Sequence, residues 1–425
     1  MPLGIAGLGH VGCGLVDLVQ RQDSLRLPGR VEIAGVTARN RNRSRTVDTA
    51  SYPWFDDAAK LASDESVDVF VELIGGSDGP AKVAVETALK AGKPVITANK
   101  ALIAMHGREL ADLAAQQGVD LLFEAAVAGG VPVVRVLRDS LAGVEVRRVT
   151  GILNGTCNFL LSEMLSTGKS YDTVLAEAQR LGYAEADPTL DVNGMDAAHK
   201  AAILAAIAFS ADLDFSKVSV SGVEGVELLD LDLADRLGLR IKLIAEGKLT
   251  ENGVVCRIEP FALPREHPLA RVNGSLNTVR IEGEPLGAVT LTGPGAGPGP
   301  TASAVMGDVA KLFNPVARPA FGHADHHDIR KFVVAEPDEM AAYFVRVRLM
   351  DKAGSLAELT EALAEAGVSI DKLLQDSADE NGAAPIAIVT HVCSRREIGR
   401  AREMLQSLGS NVGSPQIMAI EAASE

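Results

Sequence analysis

The chain has 425 residues, 47% of them hydrophobic, enough to fill two or three cores and too long for one. Its net charge of −15 argues against nucleic acid as the main partner, because phosphate contacts need a positive surface, but leaves room for an anionic small molecule held by local positive charge. Cys13, Cys157, Cys256 and Cys393 are scattered without metal-like spacing and fit a reduced, cytoplasmic setting, and the longest apolar run, Ala201 to Phe209, is too short to cross a membrane.

From Leu3 to about Val133, short apolar runs alternate with amphipathic stretches. Val31 to Thr37, Val67 to Ile74, Pro94 to Thr97 and Leu121 to Glu124 read as strands, with helices over Ala81 to Ala91 and Leu102 to Gln117. This alternation predicts a parallel sheet covered on both faces, with ligands at the carboxyl ends of its strands. The first strand runs into Gly7-Leu8-Gly9-His10-Val11-Gly12 and then a helix. In that context Gly7 permits a tight turn, Gly9 lets backbone approach a pyrophosphate and Gly12 allows close packing, so all six residues are candidate dinucleotide contacts.

After the second strand an NAD site usually offers an acid to the ribose; here the run is Thr37-Ala38-Arg39-Asn40-Arg41-Asn42-Arg43. Arg39, nearest the strand end, suits a 2′-phosphate and so favours NADP over NAD, whereas Arg41, Arg43 and Arg45 read more simply as a solvated loop. The next two strands end in Glu72-Leu73-Ile74-Gly75-Gly76-Ser77 and Thr97-Ala98-Asn99-Lys100, both facing the same crevice. Lys100 equally fits a ligand-facing cation and an ordinary surface lysine.

Past Val134 the pattern shifts to long β-like runs, Val144 to Leu153 and Val254 to Glu259, with helices over Tyr171 to Leu181 and Asp196 to Phe209, as in an α+β domain. The densest polar stretch runs from Gly182 to Lys200 and includes Glu185, Asp187, Asp191 and Asp196. Asp196 and Lys200 are four apart on one helical face, which by itself describes a surface ion pair. That helix is apolar on nearly every side, so the pair needs partners or a ligand. Cys157, without a neighbouring histidine, reads as a small buried residue rather than a nucleophile.

A Gly- and Pro-rich loop, Thr292 to Thr301, precedes a helix through about Phe313, and Asn314 to Met340 reads as a linker. Its cluster His323-Ala-Asp-His326-His327-Asp328 has metal-like composition but irregular spacing. The tail, with a strand at Tyr343 to Leu349, a helix at Leu356 to Ala366, a strand at Ile386 to His391 and a helix at Arg396 to Leu408, predicts a ferredoxin-like βαββαβ unit.

The stretches GLGHVG, VELIGG, TANKAL, EAAVAGGVP, GILNGTCNF, GYAEADPTLDVNGMDAAHK and GPGAGPGPTASAV stand in the order seen in homoserine dehydrogenases, and over essentially its whole length the chain resembles that family. The tail, with Asp351-Lys352-Ala353-Gly354-Ser355-Leu356 after a strand, resembles an ACT domain, as in the longer bacterial form of the enzyme. The resemblance implies reversible reduction of aspartate 4-semialdehyde to homoserine with NADPH or NADH, in the biosynthesis of threonine, methionine and isoleucine. It assigns Lys200 as proton donor and Lys100 as the second active-site lysine. Glu185 and Asp196 match substrate-holding residues, and Asp187 and Asp191 match residues that orient the lysine or substrate.

By the same resemblance Gly76, Ser77, Lys100, Gly182, Glu185 and Gly297 join the cofactor contacts. A monovalent cation, sodium in the family, would be held by Glu124 and the backbone at Val127, Gly129 and Val131, although ordinary turn chemistry also explains that run. Asp351, Gly354 and Leu356 would shape an effector site for threonine, and paired ACT domains imply a homodimer or homotetramer.

The implied organisation is a discontinuous Rossmann-like NAD(P)-binding domain (1–133 and 295–313), a substrate-binding and dimerisation domain (134–294), a linker (314–340) and an ACT domain (341–425). Two other functions remain open on the sequence: a different semialdehyde or amino-acid dehydrogenase on the same scaffold, which a substrate panel would separate, and a non-catalytic amino-acid sensor. The sensor would require loss of a catalytic lysine or glycine loop, and neither is lost here.

Overall fold

The computed structural model describes residues 1–184, 187–314, 319–322, 329–336 and 338–421. Its N-terminal part alternates strand and helix: β1 (Pro2–Ala6), α1 (His10–Gln20), β2 (Glu32–Thr37), α2 (Ala58–Ser63), β3 (Val69–Glu72), α3 (Pro80–Lys90), β4 (Val95–Thr97), α4 (Lys100–Gln117) and β5 (Leu121–Leu122). The five strands pair in the order β2-β1-β3-β4-β5, all parallel. This is the doubly wound arrangement expected from strands buried on both faces. Leu3, Ile5, Phe70, Val71 and Ile96 are fully buried.

The strand reversal on either side of β1 opens a crevice at the carboxyl ends of β1 and β3, where the glycine turn lies. Gly7 has φ +107°, and a Cβ there would meet Leu73 O at 2.3 Å. At Gly12 a Cβ would stand 2.0 Å from Gly7 O, so only glycine lets α1 pack onto its own turn. The helix Pro298–Lys311 returns to this part of the molecule: Ala302, Val305 and Val309 share a core with Ile5 and Val16, and Gly14 lets Pro298 O come within 2.8 Å of where its Cβ would be.

The middle of the chain builds an antiparallel sheet in the order Gly287–Pro294, Leu276–Glu284, Glu145–Ile152, Leu239–Thr250, Gly253–Pro264. The helix Met195–Ala208 lies between this sheet and α4. Its alanines allow the close fit: Ala205 Cβ would be only 3.1 Å from a Cβ on Gly247.

Two expectations need correction. The linker predicted over 314–340 contains a strand, Arg330–Val333, which pairs with Gly253–Pro264 and with Ala211–Asp212. Its hydrogen-bonding partners are far away in sequence, so local periodicity carries no trace of it. The predicted loop Thr292 to Thr301 is shorter than its composition suggests: a strand runs to Pro294 and a helix starts at Pro298, which fills the first helical turn, where no N–H is needed. The histidine cluster 323–328 lies outside the described residues.

The tail folds as strand Met340–Met350, helix Ser355–Ala366, strands Ile370–Gln375 and Ala383–Thr390, helix Arg395–Ser407 and strand Gln416–Ile420. Its four antiparallel strands, in the order Gln416–Ile420, Met340–Met350, Ala383–Thr390, Ile370–Gln375, form the ferredoxin-like unit anticipated from the sequence. The last strand meets the central sheet where Ala262 pairs with Ile420. The two units are also joined through charge. Arg346 on the tail's first strand, 1% exposed, contacts both oxygens of Asp230, 0% exposed, at 2.7 and 3.1 Å.

Candidate active site

Three strand ends and one helix supply the site. Glu72 closes β3 fully buried, its Oε1 accepting the N–H groups of Ile74 (2.7 Å) and Gly75 (3.0 Å) and its Oε2 the Thr97 hydroxyl (2.5 Å). Thr97 Oγ1 in turn accepts the Asn99 N–H at 2.9 Å. Asn99 caps α4 by accepting from Leu102 N, and donates to Gly76 O at 2.7 Å. One buried carboxylate therefore ties together the glycine loop after β3, the end of β4 and the start of α4, which Lys100 opens.

Lys100 reaches across to the middle of the chain, its Nζ 2.8 Å from Asp196 Oδ1. Lys200, one turn beyond Asp196, places its Nζ 2.7 Å from Asp196 Oδ2 and 2.8 Å from Leu153 O. Asp196 and Lys200 are each 9% exposed, so this is not the surface pair that i,i+4 spacing alone describes. Burial opposes ionisation of Asp196, but Lys200 and then Lys100 overcome it and hold the carboxyl well below the usual range.

Two residues that sequence reasoning did not single out complete the cluster. Asn154 donates through Nδ2 to Asp191 Oδ1 (2.8 Å) and to Asp196 Oδ2 (3.0 Å), while its Oδ1 caps the helix Gly155–Thr167 by accepting from Cys157 N (2.7 Å). Thr156 Oγ1 lies 2.7 Å from Tyr183 O and 3.1 Å from Asp191 Oδ2. Both sit in the GILNGTCNF stretch, whose N-cap signal is legible but whose long-range partners are not. Burial and then Asp196 push the Asp191 carboxyl up, with Asn154 and Thr156 pulling against them.

The other sequence candidates fall into separate places. Asp187 is exposed and serves Thr189, accepting its N–H and hydroxyl, the bonds of a turn rather than of the buried cluster. Gly182 is the left-handed C-cap of the helix Tyr171–Leu181. Glu185 lies outside the described residues. Cys157 is fully buried with Sγ 3.2 Å from Asp191 O; burial, then Asp191 and Asp196, push its thiol well above the normal value, which rules out a ready thiolate.

At the glycine turn, Leu8 is buried and Gly9 and His10 are exposed, and a Cβ on Gly9 would meet nothing within 4 Å, leaving room for a ligand. Val11 is half-buried in the first turn of α1, whose N-terminus has no side-chain cap, so its N–H groups suit a pyrophosphate. Gly297, φ +115°, is the N-cap of Pro298–Lys311, likewise without a side-chain cap. Gly76, φ +86°, and Ser77 form the loop held by Asn99, and Arg39 is exposed just past β2. The neighbouring loop is less loose than a solvated run: Arg45 donates to Asn40 O, Arg41 O and Arg43 O, and the guanidinium groups of Arg41 and Arg45 lie over Trp54 at 5.6 and 5.5 Å.

A second buried centre joins Glu124, Asp308 and Arg135. Glu124 accepts from Val134 N (3.0 Å) and Arg135 N (2.8 Å), Glu124 N donates to Asp308 Oδ2 (2.9 Å), and Arg135 pairs with Asp308 at 3.2 Å. Burial, then Asp308, push the Glu124 carboxyl up to about 7. Beside it Ala128 and Gly129 both have left-handed backbone, φ +53° and +49°. In the tail Asp351, Gly354 and Leu356 line a cavity of about 160 Å³ together with Lys352, Ser355 and Gln375. No helix among the described residues is long and apolar enough to cross a membrane.

A family model described as homoserine dehydrogenase, NAD binding domain, matches residues 7–124, the homoserine dehydrogenase model itself matches 132–310, and an ACT domain model matches 343–410. A homoserine dehydrogenase of Pseudomonas aeruginosa is 40% identical over 419 residues, 96% of this chain and 95% of that protein. This chain belongs to the homoserine dehydrogenase family. A crystal structure of a homoserine dehydrogenase from Thiobacillus denitrificans superposes with a TM-score of 0.87 at 35% identity, covering 100% of this chain and 99% of that one. A hyperthermophilic archaeal homoserine dehydrogenase in complex with NADPH matches at a TM-score of 0.63 and 26% identity, covering 74% of this chain and 98% of that one. The parallel-sheet unit is thus the nicotinamide-dinucleotide domain of an oxidoreductase, and the tail is an ACT domain.

Proposed function

We propose that the enzyme reduces L-aspartate 4-semialdehyde to L-homoserine with NADPH, reversibly, and that Lys200 and Lys100 carry the polar half of the reaction. The observation that carries this reading is the convergence of two lysine ammonium groups on the two oxygens of one buried carboxylate. When bound, the reduced nicotinamide supplies the hydride. As the aldehyde carbon becomes tetrahedral its oxygen gains negative charge, which Lys200 stabilises and then neutralises by giving up a proton. Asp196 keeps both ammonium groups aimed, and together with Glu185 and Asp191 supplies the negative charge that the substrate's own ammonium group requires.

Gly7 to Gly12, Gly76, Ser77, Gly182 and Gly297 are read as the cofactor cradle, and Arg39 as the partner of a 2′-phosphate. Arg39→Ala is expected to raise the KM for NADPH roughly 10-fold or more, the worth of a charge-assisted hydrogen bond, and to leave the KM for NADH unchanged. Initial rates with the two cofactors check this; equal losses with both would remove the 2′-phosphate from the account.

The Glu124 centre suits a monovalent cation, sodium in this reading. Two buried carboxylates pair with Arg135 there, and the left-handed turn at Ala128 and Gly129 suits presentation of the Val127, Gly129 and Val131 carbonyls. The cation would hold that turn against the glycine loop, where Gly130 N already donates to Pro294 O at 3.0 Å. The cavity at Asp351, Gly354 and Leu356 is read as the site of a feedback effector, threonine, acting in a cytoplasmic homodimer or homotetramer.

A further inference from the structure

We propose that Asn154 is a positioning residue of the reaction, its amide bridging Asp191 and Asp196 so that each carboxylate keeps the orientation the two lysines and the substrate require. The inference rests on the reaction proposed above and concerns a residue outside the lysine and carboxylate set.

Asn154 is 4% exposed and every polar position of its side chain is used. The two N–H bonds go to two different carboxylates, and the carbonyl caps the helix Gly155–Thr167. Helix capping asks only for the carbonyl, which serine or aspartate replaces at an N-cap with little loss. The bridge asks for two donors on one planar group, which among side chains of this length only asparagine provides.

The bridge matters because of how charge is distributed. Asp196 is paired with two lysines, one per oxygen, whereas Asp191 feels Lys200 only through space and takes its described side-chain hydrogen bonds from Asn154 and Thr156. Thr156 has a single hydroxyl proton, and Tyr183 O at 2.7 Å competes for it with Asp191 Oδ2 at 3.1 Å. The Asn154 amide is therefore the firmer donor to Asp191. Among the described residues it is the group hydrogen-bonded to both acids, so it offsets repulsion between a buried carboxylate, Asp196, and a half-buried one, Asp191. Among the described residues, the ionisable groups around this cluster are Asp191, Asp196, Lys200, Lys100, Cys157 and His199, with Glu224 acting on Cys157.

Two variants separate the bridge from the cap. Asn154→Ser keeps the cap but is too short to span both acids, and Asn154→Asp keeps the cap and the shape while exchanging both donors for a third carboxylate. The expected result is that kcat/KM for the semialdehyde falls roughly 10- to 100-fold in Asn154→Ser and further in Asn154→Asp, with NADPH affinity unchanged.

A second readout does not depend on turnover. Loss of the amide raises the Asp191 carboxyl further above its unfolded value of about 3.9. A raised folded value removes stability as pH rises through that interval, so the melting-temperature deficit of Asn154→Ser should be small near about pH 4 and larger near about pH 8. A purely capping role predicts a deficit that does not change with pH. A pH-independent deficit, or kcat/KM within about twofold of wild type in both variants, overturns the proposal. Should the wild-type enzyme itself fail to turn over the semialdehyde, the reaction reading fails, and the pH dependence of the deficit still decides the role of Asn154.

Discussion

Lys200→Met should lower kcat for semialdehyde reduction by about 10²–10⁴-fold, the usual worth of a positioned proton donor, and leave NADPH binding intact. Methionine approximates the length and volume of the lysine stem, so the buried helix Met195–Ala208 keeps its packing, and Asp196 retains Lys100 at 2.8 Å. What disappears is the ammonium that neutralises the developing alkoxide. Because charge on oxygen exists in the transition state and not in the ground state, the loss should fall on kcat rather than KM. Stopped-flow or steady-state rates together with cofactor titration by fluorescence check it. A folded Lys200→Met enzyme with near-normal kcat would remove Lys200 from the chemistry.

The second large effect concerns the joint between the ACT domain and the rest of the molecule. Asp230→Ala is expected to destabilise the protein by about 3–5 kcal/mol, because it strands Arg346 in a site with almost no access to water. Glu227, 3.2 Å from Arg346, is exposed and also serves Arg348, so it compensates little. Asp230 additionally accepts from Glu227 N at 2.8 Å in the capping box of the helix Leu228–Arg236, and that bond is lost too. The double variant Asp230→Leu with Arg346→Met should recover most of the loss, since a matched apolar pair has no desolvation penalty to meet. Chemical denaturation of wild type, Asp230→Leu, Arg346→Met and the double variant closes the cycle; a single variant as stable as wild type would show that the pair does not hold the two units together.

Much of the fold is legible in local sequence. The glycine turn announces itself because Gly7 and Gly12 answer local steric demands, a left-handed φ and a helix packed on its own turn, and both demands act within six residues. The helices Tyr171–Leu181 and Met195–Ala208 follow from 3.6-residue periodicity and low polarity. The tail's βαββαβ order follows from the alternation of periods two and 3.6.

What stayed hidden depends on contacts between distant segments. Asp196 and Lys200 are neighbours on a helix by spacing alone, but the approach of Lys100 follows only from docking α4 on that helix. Nothing local to Asn154 says that its amide spans two acids some 40 residues further on. Glu72 reads as the polar end of a strand, whereas its function as a clamp on Thr97 needs the parallel pairing of β3 with β4. The strand Arg330–Val333 and the Arg346 to Asp230 pair likewise arise from tertiary packing.

The most direct test of the account is the initial rate of NADPH oxidation by the purified protein with L-aspartate 4-semialdehyde, paired with NADP⁺ reduction driven by L-homoserine. The account predicts turnover in both directions and its collapse in Lys200→Met. Absence of turnover with this pair, alongside reduction of a different aldehyde, would contradict it.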